Sequence, residues 1–329
     1  MRAVLADPAT SSLVVADVDD PTPAEGQLLV RVRAAGLNRA DLAARAGAYR
    51  TGPAAVAPSA PFIAGAELAG EVVGLGPGVE GWQVGDRLMG RGRGYAELAA
   101  VDQDTAMPAP PSLTWEEAGA LPVALMTMHD ALATNGRLVP GEAVLIHAAT
   151  SGVGVVGVPL AAHLGASVVL ATSRSAAKLE VLTSFLGTLP CPLVTIDTSS
   201  EDFAKAAIDH TGKGIDVIID NVGASVLAGN VAAAAIKGRI VQVGRLGGRL
   251  AEVDLDELAR KRLSLVGVTF RTRTAAEVAE VMRRCVEAVG GHLERFRPRI
   301  ERVFPLGEAA AAQAALAQDA HVGKLVLVP

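Results

Sequence analysis

The sequence predicts an α/β protein of two units, one β-rich and barrel-like, the other a doubly wound parallel sheet with helices on both faces. Three observations carry this. Its 329 residues exceed one ordinary compact domain and suit two. Residues 1–100 hold short alternating or apolar runs, Leu28 to Arg33 and Glu71 to Leu75 among them, broken by Gly and Pro at short intervals. From about Trp115 the texture changes, and apolar strands alternate with Ala-rich helical stretches as far as Phe270, the pattern of a parallel sheet.

Taken in order, Trp115 to Ala133 reads as helical. The candidate strands that follow are Ala143 to Ala149, Ser167 to Thr172, Leu193 to Ile196, Gly214 to Asp220, Gly238 to Gly244 and Leu263 to Phe270. Six such strands suit a complete dinucleotide-binding sheet. A helix is expected over Ala275 to Val289, and Arg299 to Leu306 and Gly323 to Val328 return to strand character and should rejoin the first unit. The expected domains are therefore 1–122, 123–269 and the returning segment 270–329.

Composition narrows the function classes. Half the residues are hydrophobic and 20% charged, which supports folded cores and no disorder. The net charge of −5 is spread along the chain, no basic run is interleaved with aromatics, and only 3% of residues are aromatic. Nucleic acid is not an expected partner. Cys191 and Cys285 lie far apart and follow no metal-ligand spacing, so no disulfide framework or structural metal is predicted. The N-terminus reaches a charge and a proline within its first eight residues, which does not support a secretory signal, and a cytoplasmic protein is expected. Val144 to Ala171 is the most membrane-like run. Pro159, two histidines and several glycines fit it better to a buried strand, turn, helix and strand, so no membrane partner is expected.

The strand ending at Ala149 runs into Thr150-Ser-Gly-Val-Gly154, and a helical pattern opens from Val153. A glycine-containing turn between a strand and a helix N-terminus lets the backbone approach a pyrophosphate, which free N–H groups and the helix dipole then stabilise. About 20 residues on, where an acid would take the ribose hydroxyl of NAD, stand Thr172, Ser173 and Arg174, with Lys178 a helical turn later and no acid before Glu180. A hydroxyl and cations accept a 2′-phosphate, so the predicted cofactor is NADPH. The bland account of Arg174 and Lys178 is a solvated helix start.

With these residues the chain resembles the medium-chain dehydrogenase/reductase superfamily, in its zinc-free zeta-crystallin-like quinone oxidoreductase group. The segments Gly36 to Leu42, Gly47 to Tyr49, Gly65 to Glu67, Gly85 to Arg87, the turn, Asp220 to Gly223, Gly238 to Gly244 and Gly323 to Val326 occur in family order. The resemblance implies a GroES-like substrate domain and a Rossmann domain with the active site between them. Zinc-using relatives hold a cysteine where Asn38 stands, a histidine where Ala66 stands, and a four-cysteine lobe after Gly85. Asn38, Ala66 and a lone Glu67 cannot supply that site, so no metal is expected. The stress-inducible quinone oxidoreductase branch is the nearest match. Carried over residue by residue, it places Asn38, Asp41 and Tyr49 at the nicotinamide and substrate, and Ala149, Ser151, Gly152, Val153 and Gly154 at the pyrophosphate. It likewise places Ser173, Arg174 and Lys178 at the adenosine phosphate, and Asn221, Val222, Gly244, Phe270 and Lys324 at the ribose or nicotinamide. Two departures stand out: Pro159 replaces a usual Gln and should kink or loosen its helix, and Asp197-Thr198 replaces an Asn-Tyr pair.

The expected reaction is hydride transfer from NADPH to a quinone or α,β-unsaturated carbonyl. Asn38, Tyr49 or backbone N–H groups would stabilise the developing oxyanion, and Tyr49 or water would supply the proton. Pathway-specific reduction of enoyl thioesters or other alkenes is the enzymatic alternative, and an NADPH-binding structural or sensing role the non-catalytic one. His129 and His147 read as satisfied core histidines, Asp86 as a turn residue, and Arg271 and Arg273 as a strand end or cofactor contacts. The resemblance also implies a homodimer through the sheet edge at Leu263 to Phe270.

Overall fold

A computed structural model describes residues 1–50 and 60–329. The chain divides into two compact units, residues 1–126 with 270–329, and residues 127–269.

The first unit is built on the long strand Gln27–Gly36. It pairs antiparallel with Glu67–Leu75, Leu98–Asp102 and the C-terminal strand Lys324–Val328, which runs parallel to Ile300–Pro305. Arg87–Arg91 and Ala106–Pro108 extend the sheet beyond Glu67–Leu75. A second sheet holds Ser12–Asp17, Arg2–Asp7 and Phe62–Ile63. Alternate residues turn inward, so that Leu28, Val30, Leu68, Val72, Leu88, Phe304, Leu325 and Leu327 share one core. Both predicted C-terminal strands return to this unit.

The second unit is an all-parallel six-stranded sheet in the spatial order Leu193–Asp197, Val168–Ser173, Ala143–Ile146, Ile215–Asp220, Ala234–Gln242, Ser264–Gly267. This is the doubly wound dinucleotide-binding order, and its switch point lies at Ala143–Ile146, whose four residues are all buried.

Several boundaries differ from expectation, each for a local reason. The first strand stops at Ile146 because Ala148 takes φ 50°, which turns the chain before Ala149. The last strand ends at Gly267, so Val268 to Phe270 are not strand. Trp115 to Ala133 is not one helix. Trp115–Ala120 ends before Pro122, which lacks an N–H and opens Pro122–His129, and a π-helical turn, Asp130–Asn135, closes the segment. Pro159 does not interrupt the helix Gly154–His163, which runs continuously through it. Helix Ala275–Val289 keeps its expected bounds, with a Thr274/Glu277 capping box at its start and Gly290 at φ 57° after its end.

Candidate active site

In the second unit, the phosphate-binding turn is held from below by a buried polar chain. His147 Nδ1 lies 2.9 Å from Thr172 Oγ1, and its Nε2 lies 2.6 Å from Asn230 Oδ1. Asn230 Nδ2 donates to Asp220 Oδ2 at 3.1 Å, while Asp220 Oδ1 accepts the N–H groups of Val222 and Gly223. Asn221 Nδ2 donates to the His147 carbonyl at 3.0 Å. One set of bonds thus fixes the C-terminal ends of three strands around the turn. Burial pushes the His147 imidazole down to about 4, so it is neutral, as a satisfied core histidine should be, and burial also raises the Asp220 carboxyl.

The turn itself is tightly packed. Gly154 sits where an added Cβ would come 2.5 Å from both the Cα and the carbonyl oxygen of Ala149, and its N–H donates to Ser151 Oγ at 3.2 Å. The amides of Gly152 and Val153 have no backbone acceptor among the described residues and stand at the N-terminus of a ten-residue helix. Such a turn fits a pyrophosphate. Gly244 packs against the backbone of Asn221, and a Cβ there would come 1.9 Å from the Asn221 oxygen. Ala149, Ser151 to Gly154, Ser173, Asn221, Val222 and Gly244 therefore gather at the C-terminal ends of adjacent strands, where ligands of such sheets bind.

At the end of Val168–Ser173, the buried Ser173 hydroxyl lies 3.3 Å from Thr150 Oγ1. Arg174 is exposed and Lys178 half-buried at the start of the helix Ala176–Leu186. Sequence reasoning saw Asp197 only as a departure from an Asn-Tyr pair and missed its place: in register with Ser173, it takes the Ser199 N–H and hydroxyl as well as the Ala176 N–H, bonds that hold its carboxyl below the ordinary range. A carboxylate thus shares the helix start with Arg174 and Lys178.

The first unit holds Asn38, Asp41, Tyr49, Phe270 and Lys324. Lys324 Nζ donates to Glu67 Oε1 at 2.6 Å, to Asn38 Oδ1 at 2.9 Å and to the Leu37 carbonyl at 2.9 Å, which uses all three of its N–H bonds. Asn38 Nδ2 donates to the same Glu67 oxygen at 2.9 Å, and Glu67 Oε2 accepts the Val123 N–H at 2.7 Å. The pair is 3% and 0% exposed, so Lys324 is an internal counter-ion here and has no proton left for a ribose or nicotinamide. The Asn38 amide is likewise committed to Lys324 and Glu67. A metal does not fit: both Glu67 oxygens are taken, an ammonium stands beside them, and Ala66 has no donor atom.

Asp41 lies at the third position of the short helix Arg39–Arg45, and its Oδ2 accepts the Asn38 N–H at 2.8 Å and the Tyr95 hydroxyl at 2.9 Å. Burial pushes its carboxyl up to about 6, against these donors and the pull of Lys324, and burial together with Asp41 raises the fully buried Tyr95. Asp41 therefore anchors its own helix to Tyr95. The half-buried Tyr49 ring has the Arg271 guanidinium 5.8 Å from its centroid, and Phe270 has those of Arg273 and Arg91 at 4.5 and 5.8 Å. Lys324 carried one signal in the sequence, being the single charge of the otherwise apolar strand Lys324–Val328, whereas Glu67 shares its strand with Glu71. Tyr95, Asp220 and Asn230 carried no such mark.

The neutral burial of His147 makes a pH prediction. The unfolded imidazole, near its ordinary 6.5, binds a proton that the folded one refuses until about 4, so the associated stability is present above pH 6.5 and is lost as pH falls toward 4. About 2 kcal/mol should disappear between pH 7 and pH 5. Asp41, with its raised value, contributes with the opposite sign, so the effect is read as a difference between wild type and His147→Gln in urea unfolding. Equal pH dependence in the two proteins would show that His147 is not buried neutral.

Among known proteins, residues 24–111 match the "Alcohol dehydrogenase GroES-like domain" family and residues 152–287 the "Zinc-binding dehydrogenase" family. The chain is 32% identical over 327 residues to the human synaptic vesicle membrane protein VAT-1 homolog, covering 94% of this chain and 80% of that one. It is 30% identical over 337 residues to a quinone oxidoreductase-like protein 2 homolog of Nematostella vectensis, covering 99% and 88%. A mycobacterial protein solved in complex with NADPH superposes over the whole of both chains with a TM-score of 0.82 at 27% identity. Together with the sheet order and the turn, these matches make the chain a member of the medium-chain dehydrogenase/reductase superfamily, in its zinc-free quinone oxidoreductase group.

Proposed function

We propose that this oxidoreductase uses NADPH, without zinc, to reduce a quinone or an α,β-unsaturated carbonyl. The observation that carries this is the buried Lys324–Glu67–Asn38 cluster, which sets an ammonium against Asn38, the position at which the resemblance puts a zinc ligand in metal-using relatives. Chemistry in such a site needs an acceptor carbon already made electron-poor by conjugation. NADPH supplies the hydride when bound. The chain's own contributions are the amides of Gly152 and Val153 toward the pyrophosphate, Ser173, Arg174 and Lys178 toward the 2′-phosphate, and the packed turn that orients both. With Asn38 committed to Lys324, oxyanion stabilisation falls to Tyr49 or backbone N–H groups, and the proton to Tyr49 or water. Incubation with NADPH and a panel of naphthoquinones, enones and enoyl thioesters, followed at 340 nm, tests this. Turnover with quinones or enones is expected, and turnover with enoyl thioesters alone, or with nothing, would refute it.

No helix among the described residues is long and apolar enough to cross a membrane. The homodimer is proposed on the sheet edge, where among the described residues Ser264–Gly267 pairs on one side only, with Ala234–Gln242, and Leu265 is 47% exposed. Light scattering is expected to give twice the chain mass, and Leu265→Lys to shift it to the monomer. A monomeric wild type would rule the interface out.

A further inference from the structure

The sequence shows no basic run among aromatics, yet the fold of the first unit builds such a cluster from two distant segments. Arg91 and Arg93 leave the end of one strand, and Phe270, Arg271 and Arg273 follow the point where the chain returns to this unit. The Arg91 guanidinium lies 5.8 Å and that of Arg273 4.5 Å from the Phe270 centroid, Arg271 lies 5.8 Å from Tyr49, and Arg93 lies 4.8 Å from Phe62. Four cations thus share three rings, those of Phe62, Phe270 and Tyr49.

We propose that Arg91 and Arg93, reinforced by Arg271 and Arg273, form an anion-recognition site that selects acceptors carrying a carboxylate next to the reducible bond. A guanidinium over a ring engages it through its face and keeps its N–H donors in the plane, where a carboxylate can take two of them. Neither Arg91 nor Arg93 makes a side-chain hydrogen bond or ion pair to any described residue. Burial and the neighbouring Arg93 disfavour the Arg91 charge, partly offset by Tyr49 and Asp102, while burial disfavours that of Arg93 and Asp41 favours it. A bound anion would relieve that repulsion. The proximity of Arg271 to Tyr49 sets the cluster beside the side chain assigned to the acceptor, so the inference rests on the proposed function and names its substrate class.

The test uses a matched pair, (E)-4-oxo-4-phenylbut-2-enoate and its ethyl ester, which share one enone and differ in the charge. Calorimetric titration of each into the full-length protein loaded with NADP⁺ gives a binding ratio that does not depend on turnover. Wild type is expected to favour the acid by about tenfold, the order of one charge-assisted hydrogen bond. The ratio should fall toward about one in Arg91→Met and Arg93→Met and be partly restored in Arg91→Lys, with circular dichroism showing that each variant is folded. Equal binding of acid and ester by wild type, or binding of neither, would overturn the proposal, as would an unchanged ratio in folded Arg91→Met and Arg93→Met. Weaker NADPH binding in Arg91→Met with the acid preference intact would also overturn it, by assigning the cations to cofactor phosphates. Acid preference without NADPH oxidation would retain the anion site and refute the proposed reaction.

Discussion

Lys324→Met is expected to lower the stability of the protein by about 3–5 kcal/mol, because it removes one member of a fully buried ion pair and leaves the other uncompensated. Glu67 is 0% exposed and would keep only Asn38 and the Val123 N–H as partners. The loss reaches beyond charge. Lys324 also ties the Leu37 carbonyl and the Asn38 amide to the C-terminal strand, so its removal loosens the loop that leads into Asp41. Chemical denaturation at pH 7 reads the effect. The double variant Glu67→Gln with Lys324→Met should recover much of the loss, since no charge is then left buried, and a single variant within 1 kcal/mol of wild type, on the order of a surface pair, would contradict the assignment.

The second large effect is expected at the turn. In Gly154→Ala, the new Cβ would sit 2.5 Å from the Ala149 Cα and carbonyl oxygen and 2.6 Å from the Ala148 oxygen. All three are backbone atoms, so the strain cannot be relieved by a side-chain rotation. Overpacking of this kind costs about 1–3 kcal/mol of stability. The functional cost is larger in proportion, because the atoms that must move carry the Gly152 and Val153 amides, and misplacing one charge-assisted bond weakens binding by about tenfold or more. Fluorescence titration with NADPH should show that loss in a variant that still unfolds cooperatively. Unchanged affinity would mean that the turn does not hold the pyrophosphate.

Much of this fold could be read from the chain because its signals are local. The strand Ala143–Ile146 is buried on both faces and so appears as an unbroken apolar run, and Ala275–Val289 carries its start signal in Thr274 and Glu277 and its stop in Gly290. What escaped was set by tertiary structure or by unmarked backbone. Ala148 adopts a left-handed conformation that nothing in an alanine advertises, so the strand looked three residues longer than it is. Lys324 looked like a cofactor contact because its partner Glu67 stands 257 residues away. Asp41 was expected at the nicotinamide and substrate, and its tie to Tyr95, which spans 54 residues, could not be seen in the sequence. The arginine cluster was invisible for the same reason, being split between residues 91–93 and 271–273. Asp197 could be seen as a departure, but its place at the start of Ala176–Leu186 depends on strand register.

The most direct test of the central claim compares kcat/KM for NADPH and NADH with one quinone acceptor, in wild type and in Arg174→Ala with Lys178→Ala. Wild type is expected to favour NADPH by about tenfold or more, as a 2′-phosphate held by charge-assisted bonds requires, and the double variant to lose that preference. Equal use of the two cofactors by wild type, or a preference for NADH, would contradict it and point to Asp197 as the group that meets the ribose.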